Sequence, residues 1–455
     1  MVKIETNEFV EKILERFAKA GYEIYIVGGS VRDILTSRIV NDWDFTTNAT
    51  PEEILKLFPE GYYDNTFGTV GISHPSSEKP YEITTYRREF GYSDSRRPDK
   101  VEWGKSLKED LSRRDFTINA IALRQTRGKP PKFDLSDPFK GQKDLDAKLI
   151  RAVGDANERF SEDALRMLRA IRIAAELGFS IEETTLEAIR ANAGLINKIA
   201  KERVKQELFK TFSSPDPYHG MLVFRETGLM AEILPEMEKT FGVEQKSPGR
   251  HHIYDVGTHS LMSLKSVKTL DPLVRFATFI HDVGKPSTYK KSNEGLITFY
   301  NHEMVSAKIA ENIADRLKFS NSEKDKFVRL VRWHQFSVGE DQTDSALRRF
   351  IRNVGIENVP DMLELRVGDR LGGGATETSW RLEEFKKRLL EVQKQPFVVR
   401  DLKIDGNDVM KELKLKPGPK VGEILNTLFE EVVEKKLPNE REKLLARIAG
   451  MGKSK

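Results

Sequence analysis

Val27-Gly28-Gly29-Ser30-Val31-Arg32-Asp33, followed a short way on by Asn41-Asp42-Trp43-Asp44-Phe45, is the stretch on which the fold turns. Glu23 to Val27 is apolar and β-prone, the double glycine breaks it, and Ser30 to Leu35 reads as the first turns of a helix. A strand, a glycine turn and a helix N-terminus make a phosphate cradle, because backbone N–H groups and the positive end of the helix dipole converge there. Asp42 and Asp44 stand two apart in a second β-like run, Asp42 to Thr47, so both carboxylates point to one face and can grip one hard cation. Metal-assisted nucleotidyl transfer requires such a pair beside a triphosphate site. Two acids in this spacing can equally be a solvated strand end. The glycine element ahead of them decides between the two.

Gly28 to Asp33 followed by Asp42-Trp43-Asp44 resembles the signature of the DNA polymerase β-like nucleotidyltransferase superfamily. More narrowly, the chain is similar to the bacterial tRNA nucleotidyltransferase and poly(A) polymerase branch. What that implies for individual residues is taken up motif by motif below.

With 455 residues the chain is too long for one core and is expected to divide into several domains. A hydrophobic share of 38% beside 32% charged residues suits a charge-rich, mainly helical protein. The net charge is only +4, and a pI of about 8.8 is compatible with a polyanionic partner held by local patches. The absence of cysteine excludes disulfides and thiolate metal sites, so a transition metal would have to be held by histidine and carboxylate. No apolar run is long enough to span a membrane, and Glu8 to Ala20 lacks the apolar stretch of a signal peptide. The expectation is a cytoplasmic enzyme with no membrane partner.

Short β-like runs mix with helices over residues 1–150. Strands are expected at Glu23–Val27, Asp42–Thr47, Gly68–Ser73 and Tyr81–Arg87, and helices at Val31–Leu35, Pro51–Leu57 and Asp115–Leu123. From Asn157 the pattern is helical. Ser161-Glu162-Asp163 is expected to open one long amphipathic helix to Leu177, closed by Gly178. Further helices are expected at Ile181–Ala193 and Lys201–Phe212, with a linker at Ser213–Pro217. The expected fold is multi-domain α+β, with a small α/β head over 1–150 and an all-α remainder. That remainder is a neck over 151–213, a body over 214–250, a histidine-rich domain over 251–370 and a tail over 371–455.

Glu82, in Tyr81-Glu82-Ile83-Thr84-Thr85, lies on a strand expected beside the Asp42–Asp44 strand. It is either a third acid, as superfamily members commonly have, or an ordinary acid on an alternating strand. The polar, basic stretch Arg88 to Lys100, with Tyr92, Asp94, Arg96, Arg97, Pro98 and Asp99, resembles the loop that CCA-adding enzymes need to complete the terminal A. Arg113-Arg114-Asp115-Phe116-Thr117-Ile118-Asn119-Ala120 matches the family's second motif. Arg114 can pair bidentately with a phosphate, and Asp115 can accept a ribose hydroxyl or cap a helix. Together with Gly29 and Arg32 these form the expected nucleotide-binding set.

Glu162-Asp163-Ala164-Leu165-Arg166, continued by Arg169 and Arg172, is the most specific element. Placed three apart on a helix, Asp163 and Arg166 would lie side by side, an acceptor next to a planar donor fork. For cytosine the acceptor takes the exocyclic amine and the fork donates to N3 and O2; for adenine they take N6 and N1. Uracil and guanine bring a keto group to the acceptor and are disfavoured. The alternative is a plain surface salt bridge. The resemblance implies that this helix selects CTP and ATP, with Arg169 and Arg172 continuing the row towards phosphates or RNA.

His259, His281-Asp282, His302, His334 and Asp369 follow the residue order of the HD phosphohydrolase superfamily. Imidazoles and carboxylates on facing helices suit a divalent transition metal such as Ni²⁺, Co²⁺ or Mn²⁺, and Asp282 could bridge two ions or activate a water. The competing reading is a degenerate HD domain kept as a spacer. In the tail, Asp401–Asp408 and Leu415–Gly422 resemble the C-terminal body of HD-containing CCA-adding enzymes. Gly418 and Gly422 near a helix start, with Lys416 and Lys420, either hold a tRNA phosphate or form a plain turn.

Taken whole, the chain resembles class II tRNA nucleotidyltransferases with an HD domain. The resemblance implies template-independent addition of C, C and A to tRNA 3′ ends from CTP and ATP, using Mg²⁺ at Asp42 and Asp44. Within enzymes the rivals are an A-adding enzyme and a poly(A) polymerase. From other classes they are an HD phosphohydrolase that binds RNA through an inactive head, and a noncatalytic tRNA-binding factor.

Overall fold

The computed structural model describes residues 6–64, 68–74, 77, 79–90, 100–104, 106–126, 132–245, 253–336, 343–392, 399–434 and 436–452. Tyr92, Asp94, Arg96, Arg97, Pro98 and Asp99 of the expected loop lie outside the described residues. The chain divides into two compact units. One comprises 1–241 with 270–273 and 313–319, and the other 242–269, 274–312 and 320–455.

The first unit opens with helix α1 (Glu8–Ala20). Asn7 caps its start by accepting from Val10 N, and Gly21 closes it at φ 82°. Next come β1 (Ile24–Val27), α2 (Gly29–Leu35), β2 (Asp44–Thr47), α3 (Pro51–Leu57), β3 (Tyr62–Asp64), β4 (Thr69–Ile72) and β5 (Tyr81–Thr85). A separate hairpin, β6 (Arg87–Phe90) and β7 (Lys100–Trp103), precedes α4 (Leu107–Ser112), β8 (Ala122–Thr126) and β9 (Lys132–Ser136). The main sheet has seven strands in the order β3-β4-β5-β2-β1-β8-β9. β2 runs antiparallel to β1 and parallel to β5, with Asp44 opposite Val27 on one side and opposite Glu82 on the other. The two acid-bearing strands are thus neighbours, as expected.

Two expectations are corrected here. Asp115–Leu123 is not a helix: a 3₁₀ turn at Thr117–Asn119 leads into β8, whose Ala122 and Leu123 pair with Val27 and Ile26. An apolar run buried on both faces has no periodicity to separate strand from helix, and pairing with the central strand decides. After α5 (Gly141–Asp146), the long helix expected from Ser161 is also replaced by two: Ser161 ends up in the last turn of α6 (Ala156–Glu162), and α7 (Leu165–Leu177) begins afresh. Between them Asp163 is extended at φ −141°, its Oδ1 accepting from Leu165 N at 3.0 Å. A short acidic side chain that bonds the backbone ahead of it offers an alternative to the helical ladder, and here that alternative prevails. Gly178 closes α7 at φ 69°, as expected. Helices Glu183–Asn192 and Lys201–Ser213 follow.

The second unit is helical in its described residues apart from the short hairpin Lys290–Lys291 with Ile297–Thr298. Helices Val256–Ser266 and Val359–Gly372 lie close enough that Gly372 is needed: a Cβ there would meet the backbone nitrogen of Ser263 at 2.5 Å. In the tail, Asp405 caps helix Gly406–Leu413, and helix Pro419–Val433 starts after Gly418. Val409, Leu428, Leu444 and Ile448 form the centre of a local core there.

Candidate active site

Gly28 takes φ +74°, a region that costs an L side chain about 1–2 kcal/mol. Space forbids one as well, since a Cβ there would stand 3.1 Å from Arg114 Nη1 and 3.1 Å from Asp44 Oδ2. The glycine turn therefore lets a cation and a carboxylate close over the start of α2. Ser30, one residue into α2, stitches that start to the acid strand. Its Oγ donates to Asp42 O at 2.8 Å and accepts from Asp44 N at 3.1 Å. This serine was not singled out from sequence, because its role depends on β2 lying beside the turn.

Asp44 and Glu82 stand in register on neighbouring strands, and Asp42 lies near enough to Asp44 to act on its charge. The strand begins at Asp44 rather than at Asp42 as expected, so Asp42 lies just ahead of it, while the in-register pairing puts Asp44 and Glu82 on one face of the sheet. Asp42 is half-exposed and accepts from Lys79 Nζ at 2.6 Å. Burial pushes the Asp44 carboxyl up, Asp42 pushes it further, and Arg114, Arg169 and Lys79 oppose. Like-charged carboxylates near one another, one of them already meeting an ammonium group, fit a hard divalent cation.

The surrounding cations are held by buried acids. Asp110, fully buried, accepts from Arg113 Nε and Nη2 at 3.0 and 2.8 Å and from Arg114 Nη2 at 3.3 Å. Burial works against its charge, but the two arginines hold it below the usual carboxylate range. Asp115 bonds Phe116 N at 2.8 Å, Asn119 Nδ2 at 3.1 Å and Arg169 Nε at 2.8 Å. Burial again opposes, and Arg169 with Asn119 holds it far below the usual range. Asn119 also accepts from Arg32 Nη1 at 3.2 Å, joining Arg32 of α2 to this network. Asp110 and Asn119 were missed as positioning residues. For Asn119 its place inside the second motif was the available signal, whereas Asp110 lies three residues ahead of that motif, on α4.

The expected side-by-side pair of Asp163 and Arg166 is corrected with the helix. Arg166 is buried and donates to Glu162 Oε2 at 2.7 Å, Arg159 O at 3.2 Å and Arg113 O at 3.0 Å. Asp163 Oδ2 meets Arg203 Nη2 at 3.4 Å. The two still belong to one electrostatic cluster, because Asp163 acts on Arg169 and Arg166 acts on Asp115. Arg172 departs from expectation. Its guanidinium is engaged by Glu176 at 2.9 Å and by the buried Glu207 at 2.7 Å, so it serves packing between helices rather than continuing an open row.

In the second unit all six expected metal-site residues converge. His259 Nε2 lies 3.3 Å from His281 Nε2 and 3.1 Å from Asp369 Oδ1, while His302 Nε2 lies 3.3 Å from His334 Nε2. Asp282 sits between the pairs, Oδ2 at 3.2 Å from His281 and Oδ1 at 3.2 Å from His302. The Nδ1 atoms of His281, His302 and His334 face the carbonyls of Thr278, Phe299 and Val331 at 2.7, 2.9 and 2.7 Å. Such bonds fix the tautomer and turn Nε2 lone pairs towards each other. Burial opposes charge on His281, yet Asp282 and Asp369 push it up to about 10. His334, where burial dominates, is pushed down. Facing imidazole nitrogens around a shared carboxylate fit a transition-metal ion. Lys285 Nζ, held by Gln245 Oε1 at 2.6 Å, also reaches Asp282 Oδ2 at 2.6 Å, a contact not expected from sequence.

A glycine cradle beside strand carboxylates, flanked by half-buried arginines, is the arrangement of a nucleotidyltransferase head. Residues 24–151 match the family model "Poly A polymerase head domain", 178–241 the "binding site of polymerase A" model for RNA and SrmB, and 289–448 the model of tRNA nucleotidyltransferase domain 2. The CCA-adding enzyme of Pediococcus pentosaceus is 32% identical over 440 residues, covering 96% of each chain. That of Lactococcus lactis is 33% identical over 455 residues, covering 98% of each. The crystal structure of the Bacillus stearothermophilus CCA-adding enzyme in complex with CTP superposes with a TM-score of 0.71 at 27% identity, over 98% of this chain and 97% of that one. The chain belongs to the CCA-adding enzyme family. Family members use a divalent metal, and among the described residues no helix is long and apolar enough to cross a membrane.

Proposed function

We propose that this protein adds C, C and A to tRNA 3′ ends from CTP and ATP without a nucleic-acid template. Full-length similarity to CCA-adding enzymes supports the reaction. The single observation that carries the site is Gly28, closed between Arg114 and Asp44. In this reading residues 1–150 are the head, 151–213 the neck and 214–250 the body, with 251–370 the HD domain and 371–455 a tail that binds tRNA.

Asp42 and Asp44 would hold Mg²⁺, the ion suited to hard carboxylate oxygens, with Glu82 as the accessory acid. When bound, the metal activates the attacking hydroxyl and neutralises charge on the triphosphate. The backbone at Gly29 and the forks of Arg32 and Arg114 would grip the triphosphate, with Asp110 and Asn119 fixing the arginines in advance. Asp163 and Arg166 would read the base edge. Glu162 anchors one side of the Arg166 fork, which favours a fixed donor orientation over a mobile one. Arg169, clamped on Asp115, would present charge to Asp44 and the phosphates.

The test uses the purified chain with tRNA lacking CCA, or ending in C or CC, and each labelled nucleotide. Ordered incorporation of C, C and A is expected. Incorporation of A alone onto tRNA ending in CC would favour the A-adding alternative, and extended A runs a poly(A) polymerase.

A second reading concerns the second unit, and the convergence of His259, His281, Asp282, His302, His334 and Asp369 favours it. These residues would hold Ni²⁺, Co²⁺ or Mn²⁺ and support hydrolysis of a phosphoester. Metal content after reconstitution tests it: a chain that binds none of these ions carries a spacer.

A further inference from the structure

The carboxylates of the six-residue cluster each meet a cation as well as the histidines, and only at Asp369 does that cation take the oxygen turned away from them. Asp282 meets Lys285. Asp369, whose Oδ1 faces His259 and His281 at 3.1 and 3.6 Å, accepts at Oδ2 from Arg366 Nη1 at 2.9 Å. Arg366 stands one turn before Asp369 on helix Val359–Gly372, and its guanidinium lies 5.4 Å from the ring of Phe336. Phe336 is itself fixed by Phe350 and Phe385, at ring distances of 4.7 and 5.2 Å. The Nε of Arg366 is buried with no hydrogen-bond partner among the described residues, and 22% of the side chain remains exposed.

A guanidinium beside a site for divalent cations is electrostatically unfavourable unless anions join them, and Asp369 supplies only one. With only one of its donors engaged by Asp369, the fork retains capacity for a second oxyanion. We propose that Arg366 is the anion-binding arm of this site, fixing Asp369 with one side of its fork and taking a phosphoryl oxygen of an anionic phosphoester with the other. This rests on reading the cluster as a metal site. It adds a recognition residue outside the six metal ligands and explains why a cation is built into the wall beside them.

The experiment uses the full chain reconstituted with Ni²⁺ or Mn²⁺, with bound metal measured by mass spectrometry and inorganic phosphate binding by calorimetry. Phosphate binding is scored as the excess over that seen with Mg²⁺ alone. The wild type is expected to bind metal and then phosphate. Arg366→Met should keep the metal and bind phosphate at least about 10-fold more weakly, the loss of one charge-assisted contact. Arg366→Lys should recover part of that loss, since it restores the charge without the fork. Unchanged phosphate affinity in metal-loaded R366M overturns the proposal. So does joint loss of metal and phosphate in both variants, which would make Arg366 only a support for Asp369. A wild type that binds metal but no phosphate overturns the proposal alone, whereas one that binds no metal overturns the metal-site reading beneath it.

Discussion

Arg169 on α7 grips Asp115 through Nε at 2.8 Å and Nη2 at 2.7 Å, so the helix after Asp163 is tied to the second motif by a two-pronged ion pair, buried at Asp115 and partly exposed at Arg169. The same guanidinium acts on Asp44. One side chain therefore links the helix proposed to choose the base with the carboxylates proposed to hold the metal. Removing Asp115 takes away the one carboxylate in direct contact with that charge and leaves it to Glu207, Asp163 and solvent. Asp115→Ala is expected to destabilise the first unit by about 1–2 kcal/mol, less than the loss of one partner of a fully buried pair because Arg169 stays in reach of solvent. Urea unfolding checks it, and a change within experimental error would show that solvent replaces the pair.

Asp110 and Asp115 are both held below the usual carboxylate range. A group with a depressed folded value contributes stability that is fully present above its unfolded value, about 3.9, and is lost as pH falls towards the folded value. The wild-type Tm should therefore fall as pH drops from about 5 to 2, and Asp110→Asn should make that fall shallower. Scanning calorimetry over that range reads the slope directly. Parallel slopes in the two proteins would contradict it.

Asp42→Ala and Asp44→Ala should each reduce nucleotide addition by about 10³-fold or more, because several kcal/mol of transition-state charge stabilisation goes with the metal. tRNA binding should be little affected. Incorporation at the wild-type rate by either variant would remove the head carboxylates from the mechanism.

Asp163→Ala removes the acceptor proposed to exclude keto bases, so discrimination against UTP and GTP should fall by about 1–3 kcal/mol. Arg166→Ala should weaken CTP and ATP together. Glu162→Gln loses a 2.7 Å ion pair to Arg166 and should act in the same direction more mildly. Nucleotide competition assays separate these effects. An unchanged preference in all three variants would mean that the segment is structural.

His281→Ala combined with Asp282→Ala should abolish transition-metal binding and any phosphohydrolase activity while leaving CCA addition nearly unchanged. The head offers hard oxygen donors and the second cluster imidazoles, so the two sites should prefer different ions. Loss of nucleotide addition in a folded double variant would show that the two activities are coupled.

The sequence alone determined the elements whose reasons are local. The glycine break after Val27 and the closure of α7 by Gly178 need only neighbouring residues to explain them. The grouping of His259, His281, Asp282, His302, His334 and Asp369 was legible too, because ligand chemistry restricts which side chains could serve together. Tertiary structure decided the rest. Ala122 and Leu123 became a strand because β1 lay beside them, and no periodicity in a fully buried run could have said so. Asp163 left the helix for a backbone contact, and Arg166 found Glu162 and two carbonyls instead of a free neighbour. Asp110, Ser30, Lys285 and Arg366 took their roles from residues that only folding brings near. A charged side chain in sequence declares its charge but not its partner. The energy of an ion pair depends on separation and burial, and both are properties of the folded chain.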